Sequence, residues 1–218
     1  MDAGEKKGWM EIINADDLDS HMASIGQAQA NGEIVKQMFE EYPLKPNSKL
    51  LVAGCGTGQL FDYIEPHDFG SGIELVLTDI NPSFLEKAKE RLQRFAGVNC
   101  QIKIDDVEET GLKGTYDGVL IILVLQHVEW EKALESLLSL NPKRLYIIEQ
   151  EQDITQHAVT KSRQLSEAWR RYAEVANPKL IKRQELTAFL QKEGYQVSEQ
   201  YGRAVQDNKT MYGFVFRL

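Results

Sequence analysis

Gly54-Cys55-Gly56-Thr57-Gly58 is the segment of this sequence best suited to holding a ligand. Only glycine lets a backbone turn sharply and approach a ligand with no Cβ in the way, so a glycine turn between a strand and a helix suits a nucleotide-like molecule. Dinucleotide sites want G-x-G-x-x-G; here the third glycine comes one residue early and Gln59 fills the expected place. Taken alone, the loop also reads as a plain turn. Asp79 ends the next apolar run, about twenty residues on, where a carboxylate can accept hydrogen bonds from both hydroxyls of a ribose. A cap or Asx-turn before Asn81-Pro82 is its competing role. Asp106, with Asp105 beside it, follows a third run and can reach the amino group of an adenine or stand in a solvated loop. Gln126 and His127 follow a fourth. A histidine has the unperturbed pKa to take a proton from an acceptor, and a structural hydrogen bond at a helix start is the equal alternative. Glu149 ends a fifth run as a weaker base candidate, expected in a solvated loop.

These residues need strands to carry them to one edge. Lys49–Ala53, Glu74–Thr78, Cys100–Ile104, Tyr116–Ile122 and Arg144–Glu149 read as strands, each a short apolar run. Between them Gln59–Ile64, a segment from Asn81-Pro82 through Arg94, and Trp130–Ser139 read as helices, the second with Phe84, Leu85, Ala88 and Leu92 on one face. Such alternation predicts an α/β fold, a doubly wound parallel sheet covered by helices on both faces, whose binding crevice lies beyond the carboxyl ends of the strands. From Asn14 to Phe39 the apolar spacing is helical, with Ile34, Val35, Met38 and Phe39 as the stripe, until Pro43 and Pro46 break it. Asp153 to Ala176 has polar helical spacing and leads through Asn177-Pro178 to a helix over Arg183–Glu193, with Gly194 as its cap. Tyr195–Tyr201 and Tyr212–Leu218 read as closing strands. No linker divides the chain, so a single domain is expected over 1–218: a helical extension over 1–46, a core over 47–150 and an acceptor side over 151–218.

Of 218 residues, 42% are hydrophobic and 27% charged, the balance of a globular protein. A net charge of −8 gives no general attraction to nucleic acid or anionic membrane, so small molecules or proteins are the expected partners. Cys55 and Cys100 are too few for a disulfide framework or a four-ligand zinc site, and His21, His67, His127 and His157 have no ligand-like spacing, so no metal is expected. The N-terminal stretch has no apolar core of a signal peptide, and the longest apolar run, Val119 to Leu125, is far short of a membrane span. A cytoplasmic location is the expectation.

Leu50 to Gly58, Leu77-Thr78-Asp79-Ile80-Asn81, Asp106-Val107-Glu108-Glu109 and Val124-Leu125-Gln126-His127-Val128 together resemble the successive motifs of class I (Rossmann-like) S-adenosylmethionine methyltransferases, in order and spacing, over Leu50 to Leu218. The resemblance implies a mostly parallel seven-stranded sheet with the last strand antiparallel, and S-adenosylmethionine as methyl donor with S-adenosylhomocysteine as product. It implies the loop Gly54, Cys55, Gly56, Thr57 and Gly58 against the methionine part of the donor, Asp79 and Ile80 at the ribose, and Asp106 and Val107 at the adenine. Leu123 and the segment through His127 would border the donor, with His127 as the catalytic candidate. Family members often close an N-terminal helix over the donor; among Asp19-Ser20-His21-Met22 and Gly26-Gln27-Ala28-Gln29-Ala30, Gln27 is the residue chosen for that lid, against an ordinary amphipathic helix. Arg163, Trp169, Arg170, Arg171 and Tyr172 fall where acceptor pockets are often elaborated; a solvated helix face with Trp169 in the core is the other reading. One position departs from the family: Val52 stands where an acid is common, two residues before the first glycine.

The donor's sulfonium makes its methyl electrophilic, so an acceptor lone pair held in line behind it suffices, without a metal. No Asn/Asp-Pro-Pro-Tyr/Phe signature of DNA-base amino-methyltransferases is present. The leading expectation is methyl transfer to a small molecule. A protein acceptor is the nearest variant, and a donor-binding regulator without catalysis, motivated by Val52, is a different class. A nicotinamide-dependent oxidoreductase is disfavoured by the glycine spacing.

Overall fold

The first apolar run forms β1 (Lys49–Ala53), flanked in parallel by β2 (Glu74–Asp79) on one side and β4 (Gly118–Ile122) on the other. The computed structural model describes residues 1–95, 97–152, 166–176, 178–206 and 208–218. Beyond β2 lies β3 (Asn99–Ile104); beyond β4 lie β5 (Arg144–Gln152), then β7 (Lys209–Arg217) and β6 (Gln196–Val205). The order is β3-β2-β1-β4-β5-β7-β6. β6 and β7 are joined too closely for a crossover helix, so they pair antiparallel, and β7 runs antiparallel to β5. This is the expected seven-stranded, mostly parallel sheet. The chain reverses its direction of travel across the sheet between β1 and β4, which opens a crevice at their carboxyl ends.

Alternate residues of each central strand feed opposite cores. Leu50 and Val52 pack with Ile34, Val35, Met38 and Phe39, the predicted stripe of the helix α3 (Gln27–Glu41). Leu51 and Ala53 face α5 (Trp130–Leu138) and α7 (Arg183–Lys192) through Leu134, Leu137, Leu186 and Leu190. On the first of these faces α4 (Pro82–Leu92) begins with Pro82, after Asn81 accepts a hydrogen bond from Ser83 N at 2.9 Å, and buries Phe84, Leu85, Ala88 and Leu92 as its spacing requires.

Several elements differ from expectation. Gln59–Ile64 is only a 3-10 turn over Gln59–Asp62; Pro66 disfavours helical backbone at the residue before it and the turn cannot propagate. β5 runs on through Gln150, Glu151 and Gln152, polar residues that read as a loop end, because Met211, Thr210 and Lys209 of β7 offer them an antiparallel ladder. Glu149 is therefore not in a solvated loop: it lies within β5, opposite Tyr212, and is 4% exposed. Helical structure also begins before Asn14. Asp2 caps α1 (Ala3–Lys7), which widens into a π turn over Gly8–Ile12, and α2 (Ala15–Ser24) precedes α3. Of the helix expected over Asp153 to Ala176, α6 (Glu167–Val175) is seen; residues 153–165, with His157 and Arg163, and Asn177 lie outside the described residues. Among the described residues no helix is long and apolar enough to cross a membrane.

Candidate functional site

The glycine loop leaves β1 with all three glycines at positive φ: 63° at Gly54, 55° at Gly56 and 71° at Gly58. Two of them also lack space for a side chain. A Cβ at Gly54 would lie 2.5 Å from Val124 Cγ2, and one at Gly58 would lie 2.9 Å from Ala88 Cβ, so the loop is pressed between the segment after β4 and helix α4. Cys55 N donates to Thr78 O at 2.8 Å, which ties the turn to the end of β2.

Asp79 stands at that end. Its Oδ2 accepts from Gly56 N and its Oδ1 from Asn81 N, both at 2.9 Å, so one carboxylate braces the glycine loop and the start of α4. Burial pushes its pKa up, and the backbone donors Asn81 and Gly56 offset part of that rise. Burial first, and then the Asp79 charge, push the pKa of the Cys55 thiol beside it well above its ordinary value. The two adjacent acids after β3 separate by environment. Asp105 is taken up by its own loop, accepting from Thr110 Oγ1 and Gly111 N, each at 2.7 Å. Asp106 accepts from Glu108 N at 3.0 Å and keeps its other oxygen toward Lys6 at 3.8 Å.

Of the donor-site and catalytic residues chosen from the sequence, all but Gly58 line one cavity: Gly54, Cys55, Gly56, Thr57, Asp79, Ile80, Asp106, Val107, Leu123, His127 and Gln27. Gly58 is turned against Ala88 of α4. Leu123 holds a left-handed backbone, φ 57°, while its N–H donates to Ile148 O at 2.8 Å. A non-glycine residue there carries strain that the surrounding sheet must hold, and such strain gathers at functional edges. Gln27 is 3% exposed and its Nε2 donates to Gln150 Oε1 at 2.7 Å, so it belongs to the cavity wall rather than to a solvated helix.

Sequence reasoning missed most of the roof. Trp9 packs edge-on against Phe84, His127, Trp169 and Tyr172, with ring centroids 6.3, 4.9, 6.2 and 5.2 Å away, and its carbonyl accepts from Asn81 Nδ2 at 2.7 Å. Trp169 and Tyr172 are buried on α6 while Arg170 and Arg171 are exposed, as the helix-face reading expects, but those rings also wall the cavity. Asp19 of α2 joins Arg91 and Thr57 and fastens the roof to α4 and the glycine loop. His127 Nδ1 lies 3.1 Å from Tyr172 Oη, whose hydroxyl donates to Glu5 Oε2 at 2.8 Å, and His127 Nε2 lies 3.0 Å from Gln126 Nε2. The legible signals for this roof were the lid segment Asp19-Ser20-His21-Met22 with Gln27 and the aromatic residues around 169–172.

Residues 51–141 match the sequence model of a methyltransferase domain. The chain carries a methyltransferase domain over these residues. No curated protein sequence matches it. Among solved structures, the methyltransferase resembles magnesium protoporphyrin IX methyltransferase of Synechocystis PCC 6803 with bound S-adenosylhomocysteine, at 18% identity and TM-score 0.65, covering 88% of this chain and 84% of that one. It also resembles the N-methyltransferase NodS of Bradyrhizobium japonicum WM9, likewise in complex with S-adenosylhomocysteine, at 16% identity and TM-score 0.61, with 88% and 86% covered. The [4+2]-cyclase SpnF shares the fold too, at 13% identity and TM-score 0.63, covering 87% and 82%. Likeness at such identities is a likeness of fold, so the acceptor chemistry of this methyltransferase has to be argued from its own cavity.

Proposed function

We propose that this methyltransferase transfers the methyl group of S-adenosylmethionine to a small-molecule acceptor bound beneath its N-terminal helices, with His127 receiving the acceptor's proton. The observation that carries the reading is that the ribose-type acid Asp79 and the imidazole of His127 line one cavity, roofed by the π turn, α2 and α6. A roof of that kind suits a small molecule better than a protein segment. The buried polar atoms fit a ligand rich in N–H and O–H groups: the amide oxygens of Asn31, Gln59 and Gln126 all line this cavity and have no hydrogen-bond partner among the described residues.

In this reading Asp79 accepts from the ribose hydroxyls and Ile80 lines the same end. Asp106 and Val107 receive the adenine, the glycine loop lies against the methionine part, and Leu123 and Gln27 close the sides. When bound, the donor supplies an electrophilic methyl on a sulfonium that departs as a neutral thioether. The chain's own work is to aim the acceptor, exclude water and hold the proton.

The polarity of the His127 network follows from Glu5. Burial and the Glu5 carboxylate keep the Tyr172 phenol protonated, its pKa far above the ordinary value, so its O–H donates to Glu5 and its oxygen is left to accept from His127 Nδ1–H. Nε2 then carries the lone pair, which Gln126 Nε2 meets at 3.0 Å. An acceptor X–H displacing that amide would pass its proton to Nε2, and a bound donor would supply the methyl that takes the proton's place on X. Tyr172 and Glu5 position the imidazolium that results.

The test uses methyl-labelled S-adenosylmethionine with small-molecule and protein fractions of a cell extract. Label is expected in the small-molecule fraction, and label confined to protein would overturn the reading. With the acceptor in hand, His127→Ala should lower kcat by about 10²–10⁴-fold at unchanged donor affinity, with Tyr172→Phe intermediate. An unchanged kcat in His127→Ala would remove the histidine from the chemistry.

A further inference from the structure

Val52 leaves the methyltransferase without a carboxylate at a position where its family commonly has one. Its side chain shows which face that carboxylate would take: Leu50 and Val52 share a core with Ala30, Ile34 and Val35 of α3, while Leu51 and Ala53 belong to the core on the other face. A residue at position 52 thus stands on the same face of the sheet as α3. On that helix Asn31 is 3% exposed, lines the same cavity as Val52, and its Oδ1 has no hydrogen-bond partner among the described residues. A buried, unsatisfied amide oxygen is costly, and a ligand N–H entering the cavity relieves that cost. Gln27, one turn earlier, is already engaged with Gln150 Oε1 and Met211 Sδ. Lys209, also lining the cavity, has the charge that suits a carboxylate rather than an ammonium.

The order of strands says which part of the donor meets Asn31. Asp106 follows β3 and Asp79 ends β2, so a donor with its adenine and ribose there continues over β1 toward β4 and α3. Neighbouring strands lie about 4.8 Å apart, which makes the distance from β3 to β4 roughly 14 Å, the reach of an extended nucleoside–amino acid conjugate. The N–H donors at that far end belong to the α-ammonium of the methionine moiety. We propose that Asn31 replaces the acid absent at position 52, its Oδ1 accepting an N–H from the donor's ammonium from another part of the same cavity wall. This inference rests on the donor orientation proposed above.

Titration calorimetry of the full chain with S-adenosylhomocysteine and with 5′-methylthioadenosine separates the two. The second ligand keeps the adenine, ribose and sulfur but has no amino-acid end. Asn31→Ala is expected to weaken S-adenosylhomocysteine by roughly 10- to 100-fold, the worth of one hydrogen bond to a charged group, and to leave 5′-methylthioadenosine unchanged. Asn31→Asp, which restores a carboxylate, is expected to keep the wild-type preference for S-adenosylhomocysteine or increase it. Equal weakening of both ligands in Asn31→Ala, no weakening of either, or loss of the preference in Asn31→Asp would each overturn the assignment. Wild-type protein that binds neither ligand would instead overturn the donor-site reading beneath it.

Discussion

Asp79→Ala is expected to lose at least 100-fold in affinity for both S-adenosylmethionine and S-adenosylhomocysteine. A carboxylate receiving two ribose hydroxyls contributes two charge-assisted hydrogen bonds of about 1.5–3 kcal/mol each, which together correspond to roughly 10²–10⁴-fold in Kd. The same substitution also unties the glycine loop, since Gly56 N and Asn81 N each lose an acceptor at 2.9 Å. Asp79→Asn grades the two effects. It keeps an acceptor for one of the two backbone donors and loses the other, so its thermal midpoint should fall less than that of Asp79→Ala. Ligand binding still falls, because the charged acceptor facing the ribose is gone. Calorimetric titration with NADH serves as the control, because the loop spacing disfavours a dinucleotide. Wild-type affinity retained in Asp79→Ala would mean that the ligand does not lie along the end of β2.

Glu149→Gln is expected to stabilise the protein at alkaline pH and to do little at pH 5. Glu149 is 4% exposed, both carboxylate oxygens lack a full hydrogen bond among the described residues, and burial raises its pKa from 4.5 to about 8. The backbone N–H of Leu125 points toward it and offsets part of that rise. Its pKa is thus higher folded than unfolded. Between pH 4.5 and about 8 the unfolded chain has released this proton and the folded chain still holds it, so stability falls as pH rises and levels off above pH 8. The full penalty is on the order of 3–5 kcal/mol, and a neutral isostere does not incur it. For a domain of this size that corresponds to a gain in Tm on the order of 10 °C at pH 8.5, read by differential scanning against the same pair at pH 5. A Tm difference that does not change with pH would mean that Glu149 is ionised in the fold.

The sites nearest to legible were those whose chemistry is local. Three glycines in five residues, at a strand end, can be read without coordinates because positive φ at 54, 56 and 58 is a demand on each residue separately. The stripe of α3, the Pro82 start of α4 and the runs of the inner strands are equally local, since periodicity of 3.6 or continuous burial is written into neighbouring positions. Asp79 and Asp106 followed, because a parallel sheet brings every strand's carboxyl end to one edge. The sequence also named the aromatic segment 169–172, yet it could not tell a solvated helix face from a cavity wall.

What the tertiary structure alone decided lies where contacts span most of the chain. Glu5 meets Tyr172 across 167 positions and Gln27 meets Gln150 across 123, and no local pattern encodes such a pairing. The extra residues of β5 exist as strand only because β7 lies beside them, and the burial of Glu149 follows from that ladder rather than from its own neighbours in sequence. Asn31 reads as an ordinary polar residue of an amphipathic helix until α3 is packed on the sheet, where its amide becomes a buried acceptor lining the same cavity as Val52. Local sequence determined which backbone each segment adopts, through steric limits and hydrophobic period. Which polar group ends up without water, and therefore available to a ligand, was decided by packing between distant segments, because desolvation depends on everything that surrounds an atom and not on the residues beside it in the chain.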